Sequence, residues 1–159
     1  MLFFLIKCSR FVLMKRKPTK AEQERQIEHC QLLSSTARVS YNAIDRVFCQ
    51  ILQKNVVFNA KGFHHLHNKP DGTARNVSER IHKLTLLPLA VPVIRNATSI
   101  SEEREVTIPE NRKKGAKRIK AKQYALVSMV GRKNPVAVRV IILEVENSLN
   151  PIFWSIMRD

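Results

Sequence analysis

The chain has 159 residues, 28 Lys and Arg against 13 Asp and Glu, and a formal net charge of +15. An apolar fraction of 44% can fill a core, which excludes global disorder, and the length fits one domain with at most an appendage. So large a cationic excess repels itself unless a polyanion or an acidic partner neutralises it. That disfavours an ordinary small-metabolite enzyme and favours nucleic acid, the ribosome or an acidic inhibitor protein as partner.

Residues 1–18 read as a basic and apolar leader outside the folded part. Lys7 and Arg10 interrupt the apolar runs at 1–6 and 11–14, so neither run reaches the roughly 20 apolar residues of a spanning helix. A membrane partner is therefore disfavoured, and Met14 is an alternative translation start. Cys8, Cys30 and Cys49 are odd in number and form no CxxC pair, so they read as reduced thiols of a cytoplasmic protein, two of them on helices.

A helical region is expected over 19–54. Thr19 and Glu22 have capping-box spacing, and Ile27, Cys30 and Leu33 recur at helical steps. The polar stretch 33–36 predicts a break. Tyr41, Ile44, Phe48 and Ile51 then predict a second helical face. The rest, 55–159, reads as an α+β core. Val56–Phe58 is β-like, Pro70-Asp-Gly72 is a turn, and Asn76 is a cap for a helix with Val77, Ile81, Leu84 and Leu87 on one face. Pro88 and Pro92 end that helix or bend its exit.

Acids at Glu102, Glu103, Glu105 and Glu110 precede a run of bases that includes Lys113, Lys117, Arg118, Lys120 and Lys122, with no acid from 111 to 139. The run reads as a surface loop that contacts phosphates without reading sequence, its ordinary alternative being a solvated loop before a strand. Three strands follow, at 124–130, 136–145 and 152–157, the middle one rich in β-branched residues. Helices followed by a strand meander give an α+β fold with N-terminal helices and a small antiparallel sheet.

Two strand positions break the apolar pattern. Arg139 shares a face with Ala137, Ile141 and Leu143, and Ser155 one with Phe153 and Met157. Each is either a site residue or, respectively, a snorkelling base and a satisfied core hydroxyl. Four of the five histidines, His64, His65, His67 and His82, fall between positions 64 and 82, the first three between a short strand and a turn, and imidazole is the natural group for proton transfer near neutral pH. His64 and His65 point apart on any regular backbone, so at most one faces a given site. No HExxH spacing accompanies them, nor does any Walker loop, GxGxxG or GxSxG motif, so neither a metal nor a cofactor is expected. Arg75 and Arg80 flank the predicted helix start, where phosphate is attracted. His65, Arg75, Arg139 and Ser155 together suit metal-free cleavage of RNA, which carries its own nucleophile in the ribose 2′-hydroxyl.

Four stretches carry a resemblance to a known family: Lys61-Gly-Phe-His-His-Leu66, Ala74-Arg-Asn76 leading into 79–84, Val138-Arg-Val-Ile-Ile142, and Phe153-Trp-Ser-Ile156. They resemble phage-associated nucleases of the Barnase–EndoU–colicin–RelE-like superfamily. The resemblance implies helices followed by a small antiparallel sheet, and a metal-independent ribonuclease acting as a toxin or a phage or mobile-element effector. Carried over, the family's histidine falls on His65, with His64 competing. Its arginines fall on Arg75, Arg80 and Arg139, and its strand polar residue on Ser155. Substrate contacts are expected from Arg80, Lys113, Lys117, Arg118, Lys120 and Lys122. The alternative is a non-catalytic RNA- or ribosome-binding module.

Overall fold

The computed structural model describes residues 17–112 and 115–159, with side chains described outside 110–117. Thr19 caps α1 (Lys20–Ile44), with both halves of its capping box formed with Glu22. The helix runs unbroken through 33–36. Ser35 and Thr36 return their hydroxyls to the carbonyls of Gln31 and Leu32, so the polar stretch is satisfied inside the helix.

The second predicted helical face does not form. Its first members, Tyr41 and Ile44, belong to α1, which ends at Asp45 with φ 54°. The chain then forms a hairpin of β1 (Arg46–Cys49) and β2 (Lys54–Val57). Val47 and Cys49 are buried while Phe48 is exposed, so period two wins over the helical spacing. Cys49 therefore lies on a strand and not on a helix; Cys30, on α1, is like it a free buried thiol. Cys8 and most of the leader lie outside the described residues.

After the hairpin come α2 (Ala60–His67) and α3 (Val77–Leu86), the latter capped by Asn76, whose side chain accepts the Glu79 amide at 2.8 Å. Pro88 sits in a 3-10 turn, and Pro92 lies in the first turn of α4 (Ala90–Asn96), where a missing amide costs little. Strands β3 (Ile100–Arg112), β4 (Gly115–Val130), β5 (Val136–Val145) and β6 (Ile152–Arg158) complete the fold.

The fold is α+β. Its six strands lie in the order β1-β2-β6-β5-β4-β3, so the last strand is internal. Every pairing is antiparallel except β2 with β6, which makes the expected antiparallel sheet a mixed one. Tyr124, Leu126, Val138, Val140, Ile142, Phe153 and Ile156 form one side of the core. Tyr41, Phe63, Leu66, Leu84, Val93 and Ile94 from the helices form the other. The basic run is a second departure from expectation. It is a strand arm, not a loop, since β3 and β4 pair over their length and lay the acid-rich segment beside the base-rich one.

Candidate functional site

Strand β6 carries an irregularity where it pairs with β5. Ile141 opposes Ser155 while Ile142 opposes Phe153, leaving Trp154 as the extra residue. Alternation fails there. Phe153 and Ile156 both belong to the core, so Ser155 does not share the face of Phe153 as strict period two predicts.

The bulged residues meet α2 and α3. The Trp154 ring stacks on the His65 imidazole at 4.3 Å between centroids, and Lys83 of α3 donates to the Ser155 hydroxyl at 2.7 Å and the Ile156 carbonyl at 2.9 Å. His65 and Lys83 are each 8% exposed and Ser155 3%. Arg75 Nε donates to the His65 carbonyl at 3.3 Å, which fixes the guanidinium beside this group. The approach of α2 depends on Gly62, where a methyl group would run into the Phe153 carbonyl and the Tyr41 hydroxyl.

Burial and the cations set the ionisation. His65 is pushed down to about 4, first by desolvation and then by Arg75 and Lys83, against a smaller upward pull from the Trp154 backbone. Neither ring nitrogen has a hydrogen-bond partner among the described residues. Lys83 is pushed down to about 8 by desolvation and then by Arg75, with Glu79 opposing. The cluster thus holds a neutral imidazole and a largely protonated ammonium at neutral pH, alongside a hydroxyl and a guanidinium.

The structure brings His65, Arg75 and Ser155 together and adds Lys83 and Trp154, which sequence reasoning missed. A signal for Lys83 existed: it stands three and four residues before Leu86 and Leu87 on a helix, which puts it on their apolar face. His64 is exposed, its Nδ1 3.1 Å from Asn68 Nδ2, so His65 is the inward member of the pair. His82 is exposed as well.

Arg139 is engaged elsewhere. Its Nε donates to Asp159 at 2.6 Å and its Nη1 to Glu102 at 3.2 Å, and among the described residues it has no hydrogen bond to His65, Arg75 or Ser155. Arg80 lies between α1 and α2, away from Ser155 (it lines a cavity with His67). Arg118, Lys120 and Lys122 are exposed on alternate residues of β4 and so share one face. Lys122 is tied to Glu103 at 3.0 Å. Lys113 and the side chain of Lys117 lie outside the described residues.

A cleft of about 850 Å³ lies at the β3–β4 arm and not at the His65 cluster. Its lining mixes Lys54, Lys120 and Lys122 with Glu105, Glu144 and Glu146, so it carries no dominant sign of charge. Among the described residues, no three His, Cys, Asp or Glu side chains gather as a metal site, and no helix is long and apolar enough to cross a membrane. Compared with known proteins, the chain matches no family model, no curated protein and no solved structure.

Proposed function

We propose that this chain is a metal-independent endoribonuclease of the Barnase–EndoU–colicin–RelE-like kind, working through His65, Lys83, Arg75 and Ser155. One observation carries the reading: a buried imidazole with both nitrogens unpartnered shares a cluster with a buried ammonium held on a hydroxyl. An imidazole left neutral and an ammonium left largely protonated at neutral pH supply a base and an acid. His65, neutral, takes the proton of the ribose 2′-hydroxyl. The 2′-oxygen bonds to phosphorus, the bond to the 5′-oxygen breaks, and Lys83 protonates that leaving oxygen. Arg75 stabilises the charge on the phosphoryl oxygens, and Ser155 positions Lys83. The products are a 2′,3′-cyclic phosphate and a 5′-hydroxyl.

The charge of +15 supports RNA as substrate and an acidic inhibitor as the partner of a toxin or mobile-element effector. The free thiols Cys30 and Cys49 support a reducing, cytoplasmic setting. The test is incubation of the purified protein with RNA and with ribosomes in EDTA. Cyclic phosphate ends are expected, with loss of about a hundredfold or more in rate for His65→Gln. Absence of cleavage from every RNA, ribosomal RNA included, overturns the enzyme reading.

The near-complete burial of His65, Lys83 and Ser155 favours a second reading, a non-catalytic RNA- or ribosome-binding module in which the cluster joins α2 and α3 to β6. Tight, salt-dependent RNA binding with no cleavage selects it.

A further inference from the structure

Helices α1, α2 and α3 enclose a smaller cavity that the ribonuclease reading does not use. Its volume is about 140 Å³, more than a single water needs, and its lining is Ile27, Cys30, Gln31, Ser34, His67 and Arg80. His65 and His67 stand two residues apart on α2. One faces Trp154 and the other faces α1, so this cavity is separate from the cluster at β6.

One cation, Arg80, lines the cavity with no acid beside it in the lining. His67 Nε2 lies 3.3 Å from Ser34 Oγ. Arg80 lines the space with its Nε buried and unpartnered among the described residues. Arg38 sits 4.4 Å over the Phe63 ring, which in turn contacts the His67 ring at 5.1 Å. Burial first, and then Arg80, Arg38 and His64, push His67 below the usual imidazole range, which places both guanidinium groups within electrostatic reach. No Asp or Glu lines the cavity. Arg80 as a whole is half-buried, but its Nε is shut off from solvent, and a buried donor left unpartnered is costly. Here the space for a counter-ion exists and the protein supplies none.

The donors come from three helices and surround the space. That arrangement suits a tetrahedral oxyanion, whose oxygens point in several directions, better than a carboxylate, whose acceptor sites lie in one plane. We propose that this cavity binds one phosphate group, with Arg80 as the charged anchor, Gln31 as a further donor, and His67 Nε2–H donating to Ser34 Oγ so that the Ser34 hydroxyl is left to donate to the phosphate. The proposal does not rest on RNA cleavage. The phosphate is either free, terminal on a nucleic acid, or part of its backbone.

The test follows the ring resonances of His67 and His82 by NMR in the full chain. Three probes are added separately at constant ionic strength: inorganic phosphate, a short RNA with a 5′-phosphate, and the same RNA with a 5′-hydroxyl. A saturable shift at His67 with none at His82 is expected. A response to inorganic phosphate alone identifies a free ion, a response needing the 5′-phosphate identifies a terminal group, and equal responses to both RNAs identify the backbone. Arg80→Gln is expected to weaken the responding probe about tenfold or more. Gln31→Glu places a carboxylate in the cavity, and is expected to raise the melting temperature without phosphate and to remove the His67 response. No His67 response to any probe in the wild type overturns the proposal, as does a response undiminished in Gln31→Glu.

Discussion

Lys83 Nζ donates to the Ser155 hydroxyl at 2.7 Å, tying α3 to the bulge of β6 across 72 residues of sequence. Replacing this lysine by methionine removes a costly buried charge but strands two acceptors, so the two effects oppose. Lys83→Met is expected to change folding stability by no more than about 2 kcal/mol, read by urea unfolding. RNA cleavage in EDTA is expected to fall about a hundredfold or more. Full cleavage by a folded Lys83→Met protein removes Lys83 from the role of acid.

The two shifted groups predict opposite ends of the pH–stability profile. His65 titrates near 6.5 when unfolded and near 4 when folded, so the unfolded chain binds the extra proton between those values. The His65 contribution is full above pH 6.5 and is lost as pH drops toward 4, by up to about 3 kcal/mol. Lys83 is also depressed, from 10.5 to about 8, so stability rises as pH climbs through that window. His67 shifts in the same direction as His65. Urea midpoints across the acid window should therefore lose part of their slope in His65→Gln, and a slope identical to wild type rejects the burial of a neutral His65.

Arg139 predicts a separation of stability from chemistry. It bridges Glu102 and Asp159 at a partly exposed position. Arg139→Gln is expected to lower folding stability slightly and to leave the cleavage rate of the folded protein within a few-fold of wild type. A hundredfold loss of rate in a stable Arg139→Gln protein would return this residue to the site.

Gly62 predicts a steric limit. A methyl group there meets backbone oxygen on β6, which cannot rotate away. Gly62→Ala should cost about 1–3 kcal/mol, in spite of the better helix propensity of alanine, and should displace His65 from Trp154. Thermal unfolding gives the first effect and Trp154 fluorescence, unique in the chain, the second.

Salt dependence distinguishes the bases of β4. Arg118 and Lys120 are exposed, whereas Lys122 is engaged by Glu103. Each free cation that contacts single-stranded RNA should contribute about 0.7 to the slope of log K against log salt. Arg118→Gln and Lys120→Gln should lower the slope by that amount each, and Lys122→Gln by clearly less. Equal effects at all three would show that the Glu103 pair opens on binding.

Much of the fold was legible because its local signals were unambiguous. Thr19 and Asn76 cap where their spacing says, and Val136–Val145 is a strand on composition alone. The region 46–51 failed because Tyr41, Ile44, Phe48 and Ile51 fit a helical face that tertiary pairing with β2 overrides. The basic run was misread as a loop because its strand is polar. The useful signal was the acid block before it, which becomes the opposing strand and supplies Glu103 to Lys122. At the site, Ser155 stood out as a polar group on an apolar strand, and His65 as a member of the histidine cluster. Their partner Lys83 did not, because a lysine on a helix is normally solvated, and the bulge that turns Ser155 toward it leaves no mark in a period-two reading.

The central place of β6 also orders events during synthesis. It is the last strand of the described chain, yet it separates β2 from β5 and supplies both Trp154 and Ser155. While a ribosome is still translating residues before 152, the β1–β2 hairpin has no neighbour to join and His65 and Lys83 have nothing to face. Every nascent or truncated chain lacking that strand is thus without the assembled cluster, so the timing of its release sets when the cluster first exists.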